Sequence, residues 1–145
     1  MKSSAIAVLG MAVLLCTGAQ AKDKMKADVI WPAEAIKWEP GPTPGTKVAK
    51  LWGDSSKGGH YGMLVKFDAG LMHPLHYHTN TLKLIMITGT LMLKPDNGQE
   101  HKLGPGSYIL QAGRAKHVSG CAAGAECQFL LTSDAKFDFI NAEKK

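Results

Sequence analysis

The chain has 145 residues, of which 45% are hydrophobic and 20% are charged, and 17 Lys and Arg against 12 Asp and Glu give a net charge of +5. This composition is typical of one globular domain. It excludes collagen and a disordered chain. A multispan membrane protein is also excluded, because no apolar run after the first twenty residues is long enough to cross a bilayer.

Residues 1–21 have the pattern of a secretory signal peptide. Lys2 precedes an apolar stretch at 5–16, and Ala19-Gln20-Ala21 is a small-x-small cleavage pattern. A retained membrane anchor is the weaker alternative, because a bilayer span needs ~20 apolar residues. We therefore predict cleavage after Ala21, a periplasmic or secreted protein, and no stable membrane anchor once the signal is removed.

The basic residues outside the signal peptide give no evidence for a macromolecular partner. Several lysines lie at the two ends of the mature chain, so the positive charge belongs to solvated tails and predicts no nucleic-acid partner.

Two cysteines remain in the exported chain, and they favour a disulfide between Cys121 and Cys127. The alternative is a redox or metal-binding thiol pair, although five residues separate these cysteines where a redox motif has two.

The body of the chain is predicted to be all-β. Residues 22–46 are polar and punctuated by proline, which indicates an extended N-terminal arm. Asn97-Gly98 predicts a tight hairpin, and the segment 141–145 is a C-terminal tail. Short apolar runs bounded by Gly, Pro, Asn or Asp predict strands of a closed barrel or a two-sheet sandwich at 47–52, 61–67, 82–88, 90–94, 100–103, 108–111, 127–132 and 137–140.

Three histidines form the candidate metal site. His76 and His78 are two residues apart, so on a strand their side chains point the same way at a spacing of ~6.6 Å and can converge on one ion. His117 follows a Gly-Pro-Gly turn and another predicted strand, which suits a third ligand from a neighbouring strand. Alternatively, the three rings only line a wet cavity. His73 has the opposite parity and precedes Pro74, which favours a structural role for it.

The residues around these histidines resemble the two motifs of the cupin superfamily. The first motif is matched by Gly70, His76, His78 and Gly89, and the second by Gly104-Pro105-Gly106, Gly113 and His117. The resemblance covers about residues 47–140 and implies a single cupin jelly-roll β-barrel. More narrowly, the chain resembles small cupins of unknown function related to the ChrR anti-sigma-factor cupin domain. The segments that carry this resemblance are Leu51-Trp52-Gly53-Asp54, Ser107-Tyr108 and Lys136-Phe137-Asp138-Phe139.

The chain departs from the cupin pattern at two places. Leu82 or Lys83 stands where the first motif expects a glutamate ligand, and Gln111 stands where the second expects a proline. The resemblance then implies one divalent transition metal on three imidazoles, and these ligands suit Fe, Zn, Cu or Ni. Gln111 and Arg114 are candidate substrate-binding residues, each with a plain structural or surface role as the alternative.

Two functions follow from this pattern. One is an exported metal-dependent oxygenase or isomerase that acts on a small organic substrate through the three-histidine site. The other is a non-catalytic periplasmic cupin that binds a metal or small ligand as a sensor or accessory protein. A cavity beside the ion, large enough for a substrate and lined by Gln111 or Arg114, would discriminate between them. The resemblance also implies a homodimer.

Overall fold

The computed structural model describes residues 27–142. The signal-peptide prediction, the start of the arm and the last three residues of the tail lie outside this range. Residues 27–30 are exposed and have no regular secondary structure. Among the described residues, no helix is long and apolar enough to span a membrane. In the described part of the chain, a 3-10 helix at Ala33–Ala35 precedes eleven strands: β1 Glu39–Pro40, β2 Thr46–Trp52, β3 Tyr61–Phe67, β4 His76–Tyr77, β5 Leu82–Thr88, β6 Leu91–Pro95, β7 His101–Leu103, β8 Tyr108–Gln111, β9 His117–Cys121, β10 Cys127–Ser133 and β11 Ile140–Asn141.

The strands form two antiparallel sheets. One has the order β1-β2-β3-β10-β5-β8 and the other β11-β4-β9-β6-β7. Strands that are distant in the chain are neighbours in both sheets, which is the connectivity of a jelly roll. The all-β fold class predicted from the sequence is therefore confirmed.

Alternation of side chains explains why the central strands were predictable. In β10, Cys127, Phe129 and Leu131 are buried while the residues between them are partly exposed. In β5, Leu82 is buried and Lys83 is exposed. Successive side chains of a strand point to opposite faces, so each strand contributes one apolar face. The core is built from these faces together with side chains of the other sheet. The sequence pattern does not show which residues of the two sheets meet there.

The main differences from the prediction are the segment at 137–140 and strand β9, and the two-residue strands β1 and β4 also lie outside the predicted ranges. The predicted strand at 137–140 is wrong for its first three residues, because only Ile140 belongs to a strand. Strand β9 is not among the strands predicted from apolar runs, because Ser119 and Gly120 give it no apolar alternation, although the spacing suited a strand at His117. It is a strand because it pairs with β6 along its whole length, from Leu91 opposite Cys121 to Pro95 opposite His117. Pairing with a distant strand is not visible in the local sequence.

The structure contains the predicted disulfide. Cys121 ends β9 and Cys127 begins β10, so the bond joins a strand of each sheet, with a Cα–Cα distance of 5.8 Å. Both cysteines are buried, at 1% and 0% exposure. A short cross-link of this kind restricts the unfolded chain, and a loop of seven residues corresponds to about 2 kcal/mol in the chain-entropy account.

Replacing both cysteines by alanine is expected to lower the free energy of unfolding by about 2 kcal/mol. Urea denaturation of the oxidised wild type and of the Cys121→Ala/Cys127→Ala variant measures the difference. Wild type unfolded under dithiothreitol is the matched control, because it loses the bond and keeps both side chains. Equal stability of the oxidised and reduced wild type would contradict the prediction.

Candidate metal centre

His76, His78 and His117 come together in the folded chain. His76 begins β4, His78 follows directly after that strand, and His117 begins β9. His76 and His117 are opposite each other in the antiparallel pairing of β4 with β9. One ring nitrogen from each of the three residues lies within 4.8 Å of the others, and all three side chains are buried. These are the three metal ligands that the sequence predicts, placed in one cluster.

Backbone carbonyls fix the tautomer of each ring. Nδ1 lies 2.8 Å from the Pro74 carbonyl in His76, 2.5 Å from the Asp138 carbonyl in His78, and 2.9 Å from the Ala115 carbonyl in His117. A carbonyl oxygen only accepts, so each Nδ1 carries a hydrogen and donates it. Each neutral ring therefore keeps the lone pair on Nε2, which is the arrangement that metal-binding histidines use.

Burial keeps these imidazoles neutral. Loss of solvent lowers the pKa of His76 from its ordinary value of 6.5 to about 3, against the opposing effect of the Pro74 carbonyl, and the neighbouring His117 and His78 lower it further. Burial also lowers the pKa of His78 and of His117. A metal ion competes with protons for the same lone pair, so a neutral ring is the form that binds metal. The donor set, three neutral imidazoles with free lone pairs, fits a borderline transition-metal ion.

The C-terminal segment that was wrongly predicted as a strand packs on these rings. Phe139 stacks on His76 with ring centroids 4.2 Å apart, and Phe137 lies 5.2 Å from the His78 ring. The Asp138 carboxylate accepts a hydrogen bond from the Thr79 backbone N–H at 2.7 Å, which holds the segment against the end of β4. The segment thus supplies both an apolar cover and the carbonyl that orients His78.

Gln111 contacts His117, one of the three histidines of the candidate metal site. It ends β8, faces Leu82 across the β5–β8 pairing, and borders the cavity. Its side-chain nitrogen contacts both ring nitrogens of His117, Nδ1 at 2.6 Å. A nitrogen in contact with both ring nitrogens lies against the ring, off the axis of the Nε2 lone pair, which points away from Nδ1. The amide therefore packs on His117 without a well-aligned hydrogen bond, and it crowds the space that an ion on Nε2 would need.

The positions at which the cupin pattern expects a glutamate supply no ligand. Leu82 is buried in the core and borders the cavity. Lys83 points to the outer face, as the alternation predicts, and its Nζ lies 3.6 Å from the Asp134 carboxylate. Arg114 lies on the surface in a left-handed turn with φ 64°, beside Asp96 and Lys116 and away from the cavity lining.

His73 lies closer to the centre than the sequence suggests. It is 6% exposed, its ring centroid is 5.7 Å from that of His76, and it borders the same cavity. It precedes β4 on a segment that approaches β9 at Gly120, where a Cβ would collide with the Leu71 carbonyl. His73 is outside any strand, so strand parity does not describe its position, and it does not join the group formed by His76, His78 and His117. Gly120 was the available signal, since a glycine within a strand often marks close approach of another backbone.

The cavity between the two sheets is small and mostly apolar. It has a volume of about 60 Å³, and Phe67, Phe129 and Phe139 form much of its wall. Its polar lining is uncharged and consists of Thr43, Thr46, His73, His76, His78, Gln111 and Ser119. Of the two residues proposed to bind a substrate, the fold brings Gln111 to the histidines and leaves Arg114 outside.

The free energy of unfolding of the metal-free protein is expected to fall as the pH is lowered from about 6.5 toward 3. In this interval the unfolded chain binds a proton at His76 that the folded chain, with its pKa of about 3, does not bind. Each such histidine adds up to about 1.4 kcal/mol per pH unit. Urea denaturation across the interval measures the slope, and His76→Gln is expected to reduce it. Stability that does not change with pH would contradict the assignment of neutral buried rings.

Comparison with known proteins places the chain in a family. The sequence model for a domain of unknown function, DUF4437, matches residues 17–140. No curated protein matches the sequence.

Solved structures share the fold. The polyketide cyclase RemF of Streptomyces resistomycificus is 20% identical with a TM-score of 0.69, over 82% of this chain and 88% of its own. The DMSP lyase DddQ of Ruegeria pomeroyi is 15% identical with a TM-score of 0.61, over 77% of this chain and 64% of its own. A sugar phosphate isomerase of the cupin superfamily from Silicibacter pomeroyi is 20% identical with a TM-score of 0.57, over 79% and 93%.

These likenesses confirm the cupin fold, while the narrower resemblance to the ChrR anti-sigma-factor cupin domain stays a prediction. The match to the family spans most of the sequence, including every histidine of the cluster. The chain belongs to the family defined by the domain of unknown function DUF4437, and its fold is that of the cupins.

Proposed function

We propose that the protein is an exported metal-dependent cupin enzyme, an oxygenase or isomerase that acts on a small organic substrate. His76, His78 and His117 would hold one divalent ion, Fe, Zn, Cu or Ni. The observation that carries the proposal is the convergence of three neutral imidazoles, with their Nδ1 hydrogens bound to carbonyls, beside an apolar cavity that His76 and His78 border. This combines a ligand set for the ion with a place for a molecule beside it.

The chain's own groups limit the type of reaction. A bound ion supplies Lewis acidity, and Fe, Cu or Ni also supply redox chemistry. Among residues 27–142, those that line the cavity include no carboxylate, so the polar groups beside a substrate are imidazoles, the Gln111 amide and hydroxyls. A hydrolase with its own carboxylate base is disfavoured by this lining. The phenylalanines exclude water, and Gln111 is placed to hydrogen-bond a substrate once the His117 lone pair is taken by the ion.

The names of the structural relatives support the class of substrate. They are called a polyketide cyclase, a DMSP lyase and a sugar phosphate isomerase, which are reactions on small organic molecules. At 20% identity or less they share the fold, and none of these substrates is carried over to this chain.

A non-catalytic binding protein is the second candidate, and the size of the cavity favours it. Pockets for drug-sized ligands have volumes of roughly 300–1,000 Å³, whereas this cavity has about 60 Å³. Without a movement of its wall, it accepts an ion together with a ligand of a few heavy atoms. A sensor or accessory protein needs no more space than this.

The proposal includes export and a homodimer. The signal-peptide pattern and a disulfide that joins the two sheets support an oxidising compartment. Ile85, Tyr108 and Leu110 are exposed on β5 and β8, and β8 ends its sheet. An apolar face beside an unpaired strand edge is a surface that a second copy could cover.

Elemental analysis of untagged protein purified from the exported fraction is expected to find about one transition-metal ion per chain. The His76→Ala/His78→Ala variant should lose it, because one imidazole cannot hold the ion. His101→Ala is the matched control, since His101 is an exposed histidine on β7. Intact mass and light scattering on the same sample test the start at Lys22 and the dimer.

The metal found decides the next assay. Fe, Cu or Ni calls for oxygen-uptake measurements with candidate substrates, and Zn calls for isomerase assays. Wild type that contains no metal, and whose melting temperature does not rise when each of the four metals is added, would refute the metal site. Metal binding without turnover on any substrate would favour the binding protein.

The variant Gln111→Leu is expected to bind Zn²⁺ more tightly by about three- to tenfold. The amide nitrogen crowds Nε2 of His117 and has to move before an ion binds there, and we put the cost that the apolar side chain removes at about 1 kcal/mol, the value of one hydrogen bond. Competition with a fluorescent chelator measures the affinity, and Gln111→Asn is the control because it shortens the side chain and keeps the amide. Weaker binding by the leucine variant would instead make Gln111 a metal ligand.

A further inference from the structure

His73 is a buried histidine beside the candidate metal centre, and one of its ring nitrogens has no hydrogen-bond partner among residues 27–142. Nε2 lies 2.8 Å from the Thr43 hydroxyl oxygen, whereas Nδ1 has no hydrogen-bond partner among residues 27–142. The side chain is 6% exposed, so bulk water does not satisfy this nitrogen. Buried polar side-chain atoms have a partner in the large majority of cases. His73 borders the cavity while Nδ1 is itself buried, so a partner from the cavity reaches this nitrogen through a small movement of the ring.

The threonine contacts indicate which nitrogen carries the hydrogen. Thr46 donates its hydroxyl hydrogen to the Thr43 carbonyl oxygen at 2.6 Å. The Thr43 hydroxyl then has two acceptors in reach, His73 Nε2 at 2.8 Å and Thr46 Oγ1 at 3.4 Å, and the first has ordinary hydrogen-bond length. With Nε2 as acceptor, a neutral ring carries its hydrogen on Nδ1. The unused nitrogen is therefore a donor and requires an acceptor.

His73 lies outside the metal-ligand group. The nitrogens of His76, His78 and His117 lie within 4.8 Å of one another, and His73 does not join this group. Its Nε2 lone pair is already engaged by Thr43. An ion on Nδ1 would require the hydrogen to move to Nε2 and the Thr43 contact to reverse, and His73 is not among the converging nitrogens, so we assign the partner of Nδ1 to a ligand other than the ion.

The residues around the His73 ring indicate the chemistry of that ligand. Phe67 meets the His73 ring edge-on at 4.8 Å between centroids, and Phe139 lies at 5.4 Å. Ser119 is buried and adds a hydroxyl to the same cavity. The ligand thus has an oxygen acceptor next to apolar atoms, and the volume of about 60 Å³ limits it to a few heavy atoms.

We propose that His73 is a ligand-positioning residue, whose Nδ1–H donates to a carbonyl or carboxylate oxygen of a small organic acid or ketone held beside the three-histidine site. This inference rests on the proposed function, because it names the class of molecule for the same site.

Nitrogen-15 NMR of histidine-labelled, Zn²⁺-loaded protein tests this assignment. The free protein should show the Nδ1–H tautomer at His73. Titration with acetate, acetone and pyruvate separates a carboxylate partner from a carbonyl partner, and at least one probe should shift the His73 Nδ1 resonance to saturation. An Nε2–H tautomer in the free protein, or no shift with any of the three probes, overturns the proposal.

Two variants separate positioning from a structural role. In His73→Asn the amide takes the place of Nδ1, and we expect probe affinity within about threefold of wild type. In His73→Gln the amide takes the place of Nε2, and affinity should fall by about tenfold, the value of one hydrogen bond. The Zn²⁺ content should be unchanged in both. Equal affinities of the two variants, or loss of Zn²⁺ from the glutamine variant, overturn the proposal.

Failure of the proposed function gives a different result. If wild type binds no Zn²⁺, the metal-dependent function fails, and the same three titrations are made on the metal-free protein. A saturable shift at His73 Nδ1 then still supports the positioning role, whereas its absence refutes it.

Discussion

Three hydrogen bonds from ring nitrogens to backbone carbonyls determine what this site can do. Burial makes the imidazoles of His76, His78 and His117 neutral, yet burial alone would leave either nitrogen free to carry the hydrogen. The carbonyls of Pro74, Asp138 and Ala115 remove that choice. Because these acceptors belong to the backbone, the direction of all three lone pairs is fixed by the course of the chain.

The turn that carries the Ala115 carbonyl is held in place by contacts with the segment that carries His78. The Ala115 carbonyl lies in a turn whose Gly113 packs so close to the Thr79 carbonyl that a Cβ would stand 2.6 Å from it. The next residue, Arg114, donates its backbone N–H to the His78 carbonyl at 2.7 Å, which ties the turn to the end of β4. Strand pairing sets His76 opposite His117. The ligand set therefore depends on contacts between segments that are distant in the chain.

The parts of this arrangement that the sequence predicts are those with a local pattern. Strands such as β5 and β10 pack one face against the core, so burial leaves alternation in the sequence. The glycine and histidine spacing likewise predicts the three ligands. In contrast, β9 is stabilised by a partner far away in the chain. The phenylalanines at 137 and 139 alternate like strand residues but cover histidines instead, and His73 reaches the cavity from irregular backbone. These contacts leave no periodicity to detect.

The absence of charge from the lining has an electrostatic consequence. Among the residues that border the cavity, the polar groups are imidazoles, an amide and hydroxyls, and all of them are neutral near pH 7. A glutamate ligand would have cancelled part of the charge of a divalent ion, and Leu82 provides none. Charges interact more strongly in a poorly solvated cavity than in water. An ion on three neutral ligands would thus favour an anionic partner, and the Nδ1–H of His73 is a donor suited to the same oxygen.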